Sequence, residues 1–239
     1  MNNKFFADRN DFVKYDLLLE LVEKGHFRQL TLIPMLTPKD NRKGGQLTEF
    51  PREAGRRELY EFLRTCLSAD IRDIRELRKF FQNRPFQYTP YKDTEYFRHE
   101  TRTEYFRGIS DSALQDALVF LDPDNGLEVD SMSSKNSDRY VRFDELRELL
   151  HRIADTSVLM VFQYFPRQNR SEYVRRAALK LRNLARASFS MFISDNRILF
   201  VLLFKNVHSL HWVHDSIQAY AQKHGLAIAF FAKGAIAKT

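Results

Sequence analysis

The sequence predicts an α/β fold in which a mostly parallel sheet ends in an antiparallel hairpin. Short apolar runs that stop at turn-forming residues indicate three buried strands, at residues 29–36, 117–121 and 157–165. Helical spacing of apolar residues separates these runs, as βαβ units with parallel strands require. Two later runs flank a short polar loop and predict the hairpin, at residues 188–193 and 197–204.

The remaining elements follow from periodicity and terminal residues. An apolar stripe over residues 10–25 predicts an amphipathic helix that ends at Gly25. Pro34 is unfavourable inside the first strand, because proline cannot donate to a sheet ladder. Further helices are expected at residues 143–154, at 171–185 with Ser171 as cap, and at 208–224, followed by a last strand at 226–231.

The middle of the chain has a different character. Residues 52–81 are rich in charge, and their apolar residues recur at helical spacing. Residues 83–93 contain two prolines and are expected to be irregular. We therefore expect a single α/β domain over residues 1–239, with residues 50–108 as a charged helical and irregular insertion.

Composition limits the class of protein. The 239 residues are 44% hydrophobic, which is enough for a full core, and the longest apolar runs are too short to span a membrane. No apolar signal segment is evident near the start, and one cysteine excludes an internal disulfide and a cysteine-based zinc site. A cytoplasmic protein without a membrane partner is expected, and the sequence predicts no oligomeric state.

Positive charge indicates a nucleic-acid partner. The chain has 38 Lys and Arg residues against 31 Asp and Glu residues, a net charge of +7. Arginine pairs with phosphate through two hydrogen bonds, and it is dense in residues 167–186. The candidate phosphate contacts there are Arg167, Arg170, Arg175 and Arg176; a solvated helix face is the other interpretation.

The most informative segment follows the strand at residues 117–121. Its turn-forming sequence places polar side chains at the carboxyl end of a buried strand, where α/β proteins bind ligands. These are the candidate catalytic residues: Asp122, Pro123, Asp124, Asn125 and Glu128. A plain turn is the competing interpretation, because Asp and Asn side chains often bond their own backbone.

Three features resemble S-adenosylmethionine-dependent methyltransferases with a Rossmann-like sheet. The strand order with its final hairpin is similar to their carboxy-terminal half. Asp122-Pro123-Asp124-Asn125 occupies the place of the Asp-Pro-Pro-aromatic motif of amino-group methyltransferases. Residues 10–15, which include Lys14 and Tyr15, resemble the first helix of the bacterial large-subunit ribosomal-RNA adenine methyltransferases.

A second resemblance covers nearly the whole chain. Residues 120–128, Phe-Leu-Asp-Pro-Asp-Asn-Gly-Leu-Glu, and residues 163–167, Gln-Tyr-Phe-Pro-Arg, are typical of a family of bacterial proteins without an assigned activity. This resemblance implies no reaction.

The methyltransferase resemblance implies a reaction and a cofactor site. Asp122 would accept a hydrogen bond from the amino group of a DNA or RNA base, and Pro123 would hold the loop rigid. Lys14, Tyr15, Asp40 and Asn41 would contact S-adenosylmethionine. The chain departs from that pattern in lacking a glycine-rich turn after the first strand; its first glycine there is Gly44.

Two other functions suit the same residues. Asp40, Asp122, Asp124 and Glu128 offer hard oxygen ligands for Mg²⁺, which would make the protein a metal-dependent nuclease. A non-catalytic nucleic-acid-binding module on the same fold is the third hypothesis.

Overall fold

The computed structural model describes residues 1–24, 27–40, 47–50, 55–165, 168–182, 184, 189–195, 197–232 and 235–237. Its α-helices are α1 (Arg9–Lys24), α2 (Arg57–Ser68), α3 (Leu77–Phe81), α4 (Arg102–Arg107), α5 (Phe143–Arg152), α6 (Arg170–Arg182) and α7 (Val207–His224). Its strands are β1 (Gln29–Ile33), β2 (Gln87–Pro90), β3 (Ala117–Leu121), β4 (Gly126–Leu127), β5 (Tyr140–Val141), β6 (Val158–Tyr164), β7 (Phe189–Ser194), β8 (Ile198–Phe204), β9 (Ala227–Ala232) and β10 (Ala235–Ala237).

Eight of these strands form one mixed sheet in the order β10-β9-β7-β8-β6-β3-β1-β2. Strands β2, β1, β3 and β6 are mutually parallel. The β7–β8 hairpin inserts β8 antiparallel between β6 and β7. The pairings β7–β9 and β9–β10 are also antiparallel, so six of the eight strands run in one direction while β8 and β9 run in the other. The chain is therefore an α/β protein with a mostly parallel mixed sheet, as predicted, and its strand arrangement is compatible with a Rossmann-like fold.

Helices cover both faces of the sheet because successive strand residues point to opposite sides. On β3, Leu118 and Phe120 pack into a core shared with α1, α2, α3 and α7. Val119 and Leu121 pack into a second core shared with α4, α5 and α6. All five β3 residues are buried, as expected for a central parallel strand.

The structure departs from the sequence prediction in three places. Residues 83–93 were expected to be irregular, but they contain β2, which pairs with β1 at the edge of the sheet. β1 ends at Ile33, one residue before Pro34, because the proline cannot extend the ladder. The cap of α6 is Asn169 rather than Ser171, since its Oδ1 accepts a hydrogen bond from the N–H of Glu172 at 3.0 Å.

Within the described residues, no helix combines the length and the apolar character that a bilayer crossing needs.

Candidate functional site

Asp122 lies at the carboxyl edge of the parallel strands, directly after β3. Its N–H donates to the carbonyl oxygen of Ile33 at 3.0 Å, which extends the pairing of β1 and β3 by one residue. Asp122 is only 1% exposed. The apolar run of β3 therefore brings a buried carboxylate to the edge of the sheet where α/β proteins bind ligands.

Lys14 of α1 is the partner of Asp122. Its Nζ donates to Asp122 Oδ2 and to Asp11 Oδ1, both at 2.8 Å. The same ammonium lies 4.3 Å from the centroid of the Phe162 ring. Asp11 and Lys14 are three residues apart, so they meet on one face of the helix. These contacts form a buried ion cluster of Asp11, Lys14 and Asp122.

Burial and neighbouring charges shift the pKa values in this cluster. The pKa of Asp11 is raised to about 7, first by burial and then by repulsion from Asp8 and Asp122, although attraction to Lys14 opposes the shift. Burial alone would lower the pKa of Lys14, but the two carboxylates outweigh it and raise that pKa. Lys14 is therefore a fixed positive charge, and Asp11 titrates near neutral pH.

A cavity of about 330 Å³ adjoins the ion cluster. Its wall contains four carboxylates but only two ammonium groups, those of Lys14 and Met1. We call it the acidic cavity and define it by Asp8, Asp11, Lys14, Asp122, Asp124, Asn125, Phe162 and Tyr164. Excess carboxylates beside aromatic rings favour a ligand that donates hydrogen bonds or carries positive charge.

Two polar groups of the acidic cavity remain available to a ligand. Within the described part of the chain, Asp122 Oδ1 and the side-chain amide of Asn125 make no hydrogen bond to another residue. The carboxylate oxygen can only accept, whereas the amide can both donate and accept. Such a pair is complementary to the edge of a nucleic-acid base that carries an amino group.

Gln163 of β6 holds the loop that carries these groups. Its Oε1 accepts from the N–H of Leu127 at 2.7 Å, and its Nε2 donates to the carbonyl oxygen of Asn125 at 3.0 Å. Gly126 has φ 106°, and a Cβ added there would lie 2.2 Å from Gln163 Oε1. Only glycine allows this close approach of the loop to Gln163.

Of the predicted catalytic residues, Asp122, Asp124 and Asn125 line the acidic cavity, and Pro123 is buried between them. Asp124 Oδ2 accepts a hydrogen bond from Thr37 Oγ1 at 2.7 Å. Glu128 is directed elsewhere, because its Oε1 accepts from the N–H of Phe143 at the start of α5, at 2.9 Å.

The predicted cofactor contacts lie in different surroundings. Lys14 lines the acidic cavity, but Tyr15 is fully buried in the core around α1 and does not. Asp40 pairs with Lys4 and, at 3.3 Å, with Arg139. Asn41, like Arg167, lies outside the described residues. Among the residues that the structure describes, no three His, Cys, Asp or Glu side chains are grouped so as to hold a metal ion.

The backbone after β1, over which a methyltransferase of this type would bind its cofactor, is covered by the chain itself. The carbonyl oxygen of Leu36 accepts from the N–H of Phe97 at 2.7 Å, and the N–H of Thr37 donates to the carbonyl oxygen of Met1 at 2.8 Å. Met35 is fully buried with φ 44°. These residues do not fit S-adenosylmethionine at this edge, so we derive no step through that cofactor.

A second, larger cavity of about 1280 Å³ lies between the start of α6, the β7–β8 turn and β9. Four arginines line it against two carboxylates, those of Glu172 and Asp195. We call it the basic groove and define it by Arg9, Phe165, Arg170, Arg175, Arg197 and Phe231. Two of the predicted phosphate contacts, Arg170 and Arg175, thus line one groove. Arg176 lines a smaller cavity with Glu128 and Lys180.

The two cavities share a wall of consecutive residues. Asp8 lines the acidic cavity and Arg9 lines the basic groove. Likewise Tyr164, the last residue of β6, lines the acidic cavity, and Phe165, which follows it, lines the basic groove. A site with excess negative charge therefore adjoins a site with excess positive charge.

The sequence prediction missed Asp8, Asp11 and Phe162 as residues of the site. The spacing of Asp11 and Lys14 was a signal that these two side chains share one helical face. Asp8 lies beside them because it caps α1, its Oδ1 accepting from the N–H of Asp11 at 3.0 Å. Such a face is normally solvated, and only the packing of α1 beside β6 makes it part of a cavity.

Comparison with known proteins adds no family to this description. The sequence matches no protein-family model and no curated protein.

Proposed function

We propose that the protein binds nucleic acid and recognises an amino group of one base. The base edge would enter the acidic cavity, and the phosphates would lie in the basic groove. The observation that supports this proposal is the shared wall between two cavities of opposite charge. A nucleotide has the same division, with amino groups on the base and negative charge on the phosphate.

The residues of the acidic cavity have distinct roles in this proposal. Asp122 Oδ1 accepts a hydrogen bond from the amino group, and Asn125 meets the neighbouring ring atom. Lys14 fixes the orientation of Asp122 by donating a hydrogen bond to its Oδ2 at 2.8 Å. Tyr164 is 36% exposed and lies at the wall of the cavity, where its ring packs against the base.

Methyl transfer from S-adenosylmethionine is the reaction that the sequence resemblance implies, but the residues after β1 do not fit that cofactor. The covered end of β1 favours a second candidate, a nucleic-acid-binding protein that carries out no reaction. A metal-dependent nuclease has less support, since Asp40 and Glu128 face other partners than Asp122.

Nucleic-acid binding is tested by fluorescence anisotropy with labelled DNA and RNA at several salt concentrations. We expect salt-sensitive binding that the double variant Arg170→Glu, Arg175→Glu abolishes. The double variant Arg57→Glu, Arg64→Glu is the matched control, because it reverses two exposed charges on α2, which packs on the opposite face of the sheet from α6. Equal loss in both variants, or no binding by the wild type, would reject the proposal.

The reaction is tested separately. Purified protein is incubated with S-adenosylmethionine labelled in its methyl group and with bulk DNA or RNA, and label in nucleic acid is counted. Asp122→Asn and Asp11→Asn each remove the charge of one carboxylate partner of Lys14. Methyl transfer is supported if incorporation is lost in Asp122→Asn and kept in Asp11→Asn. Binding without incorporation would favour the non-catalytic candidate.

A further inference from the structure

The basic groove combines its arginines with a largely apolar wall. Its apolar lining consists of Phe165, Val174, Ala227, Ile228, Ala229 and Phe231. The volume of about 1280 Å³ exceeds the range of about 300–1,000 Å³ that is usual for small-molecule sites. The groove therefore suits an elongated ligand that is both negatively charged and rich in apolar faces.

Phe165 lies where charge and apolar surface meet. The guanidinium carbon of Arg170 is 5.5 Å from the centroid of the Phe165 ring. The Tyr173 ring packs edge-on against Phe165, with ring centroids 6.2 Å apart and an interplanar angle of 75°. Phe231 packs edge-on against Phe192, with ring centroids 5.5 Å apart and an interplanar angle of 89°. Both rings are partly buried, so neighbouring side chains fix them while part of each remains accessible.

We propose that the basic groove binds nucleotides of a single strand, whose unpaired bases stack on Phe165 and Phe231 while their phosphates meet Arg170 and Arg197. The protein thereby prefers single-stranded nucleic acid over a duplex. This inference rests on the proposed function and specifies its substrate class.

The preference follows from what each form of nucleic acid offers to the groove. In a duplex the flat faces of the bases are stacked on one another and cannot reach Phe165 or Phe231. In a single strand every base has a free face, and stacking on aromatic side chains is largely independent of base identity. An unpaired base also enters the adjoining acidic cavity without the free-energy cost of breaking a base pair.

The first experiment measures anisotropy with one labelled strand of about 12 nucleotides, alone and after annealing to its complement. We expect the single strand to bind at least tenfold more tightly than the duplex at the same salt concentration. Equal or tighter binding of the duplex would overturn the preference but leave the proposed function intact. Absence of binding to both forms would overturn the two together.

The second experiment separates stacking from charge. We expect Phe165→Ala to weaken single-strand binding about tenfold and to leave its salt dependence unchanged, because no phosphate contact is lost. Arg170→Ala should reduce the slope of log affinity against log salt by about one. Phe165→Trp keeps an aromatic face and should retain affinity, which excludes misfolding as the cause.

Phe80→Ala is the matched control, since Phe80 lies 4.7 Å from the guanidinium of Arg84 in a similar pair outside the groove. It should bind like the wild type. If Phe80→Ala and Phe165→Ala weaken binding equally, or if neither does, Phe165 is not a stacking residue and the inference fails.

Discussion

The acidic cavity and the basic groove carry charge in opposite ways. In the acidic cavity Lys14 is 4% exposed and contacts two carboxylates that are also buried. In the basic groove Arg175 is 52% exposed, and its partner Glu172 is 47% exposed. The charges in these two sites therefore have different effects on the protein. Buried charges fix a geometry and are costly to disturb, whereas exposed ion pairs contribute little to stability and stay accessible to a ligand.

The largest effect is expected from Lys14→Met, which leaves Asp11 and Asp122 buried without their positive partner. We expect the free energy of unfolding to fall by about 3–5 kcal/mol, as measured by urea denaturation at pH 7. A loss below about 1 kcal/mol would mean that the cluster is hydrated and not a buried ion cluster.

The second-largest loss of stability is expected from Gly126→Ala, which tests how rigidly the loop of the acidic cavity is held. The new Cβ would combine a positive φ with a clash against Gln163, so we expect a loss of about 3 kcal/mol in the free energy of unfolding. Gly225→Ala at the basic groove is the control. It also has a positive φ, but no atom lies within 4 Å of its added Cβ. A loss of about 1 kcal/mol is expected there, and equal losses would contradict the role of Gln163.

A pH effect on stability is expected from the buried ion cluster. The pKa of Asp11 is raised from 3.8 to about 7 in the folded state, so the folded protein binds more protons than the unfolded chain between these values. Stability should therefore fall as pH rises from 4 to 7, by on the order of 1 kcal/mol per pH unit. Urea denaturation across this range should show a shallower dependence for Asp11→Asn. An identical slope in both proteins would assign the effect to other groups, such as Asp8, whose pKa burial also raises.

The smallest effect is expected from Arg175→Ala in the basic groove. Its ion pair with Glu172 is exposed, so the midpoint of urea unfolding should not change measurably. The same variant should still weaken nucleic-acid binding in anisotropy measurements. A clear drop in stability would make the groove a structural element and remove the contrast with the acidic cavity.

Much of the sheet could be predicted from the sequence, because its central strands are continuous apolar runs. β2 could not, since Gln87 and Thr89 give it no apolar pattern and two prolines suggest a loop. A short edge strand of this kind is recognisable only from its pairing with β1.

The candidate site was predictable to a similar degree. Asp122 follows a strand, and that position alone indicates the edge of a sheet. The roles of Asp11 and Phe162 depend on how α1 packs against β6, which no local pattern specifies. The same holds for Gln163, whose hydrogen bonds to the loop join residues 36 and 38 positions apart along the chain.

The shared wall at Tyr164 and Phe165 has a consequence for how this protein can diverge. Each ring faces its own cavity because Phe165 continues the pairing of β6, its N–H donating to the carbonyl oxygen of Arg197 at 3.3 Å, and neighbouring residues of extended chain point in opposite directions. A point substitution at either position alters one cavity and spares the other. A single-residue insertion or deletion within β6 would instead exchange the two rings and damage both cavities at once. We therefore expect descendants of this chain to vary in residue type at these positions and to keep the length of β6 constant.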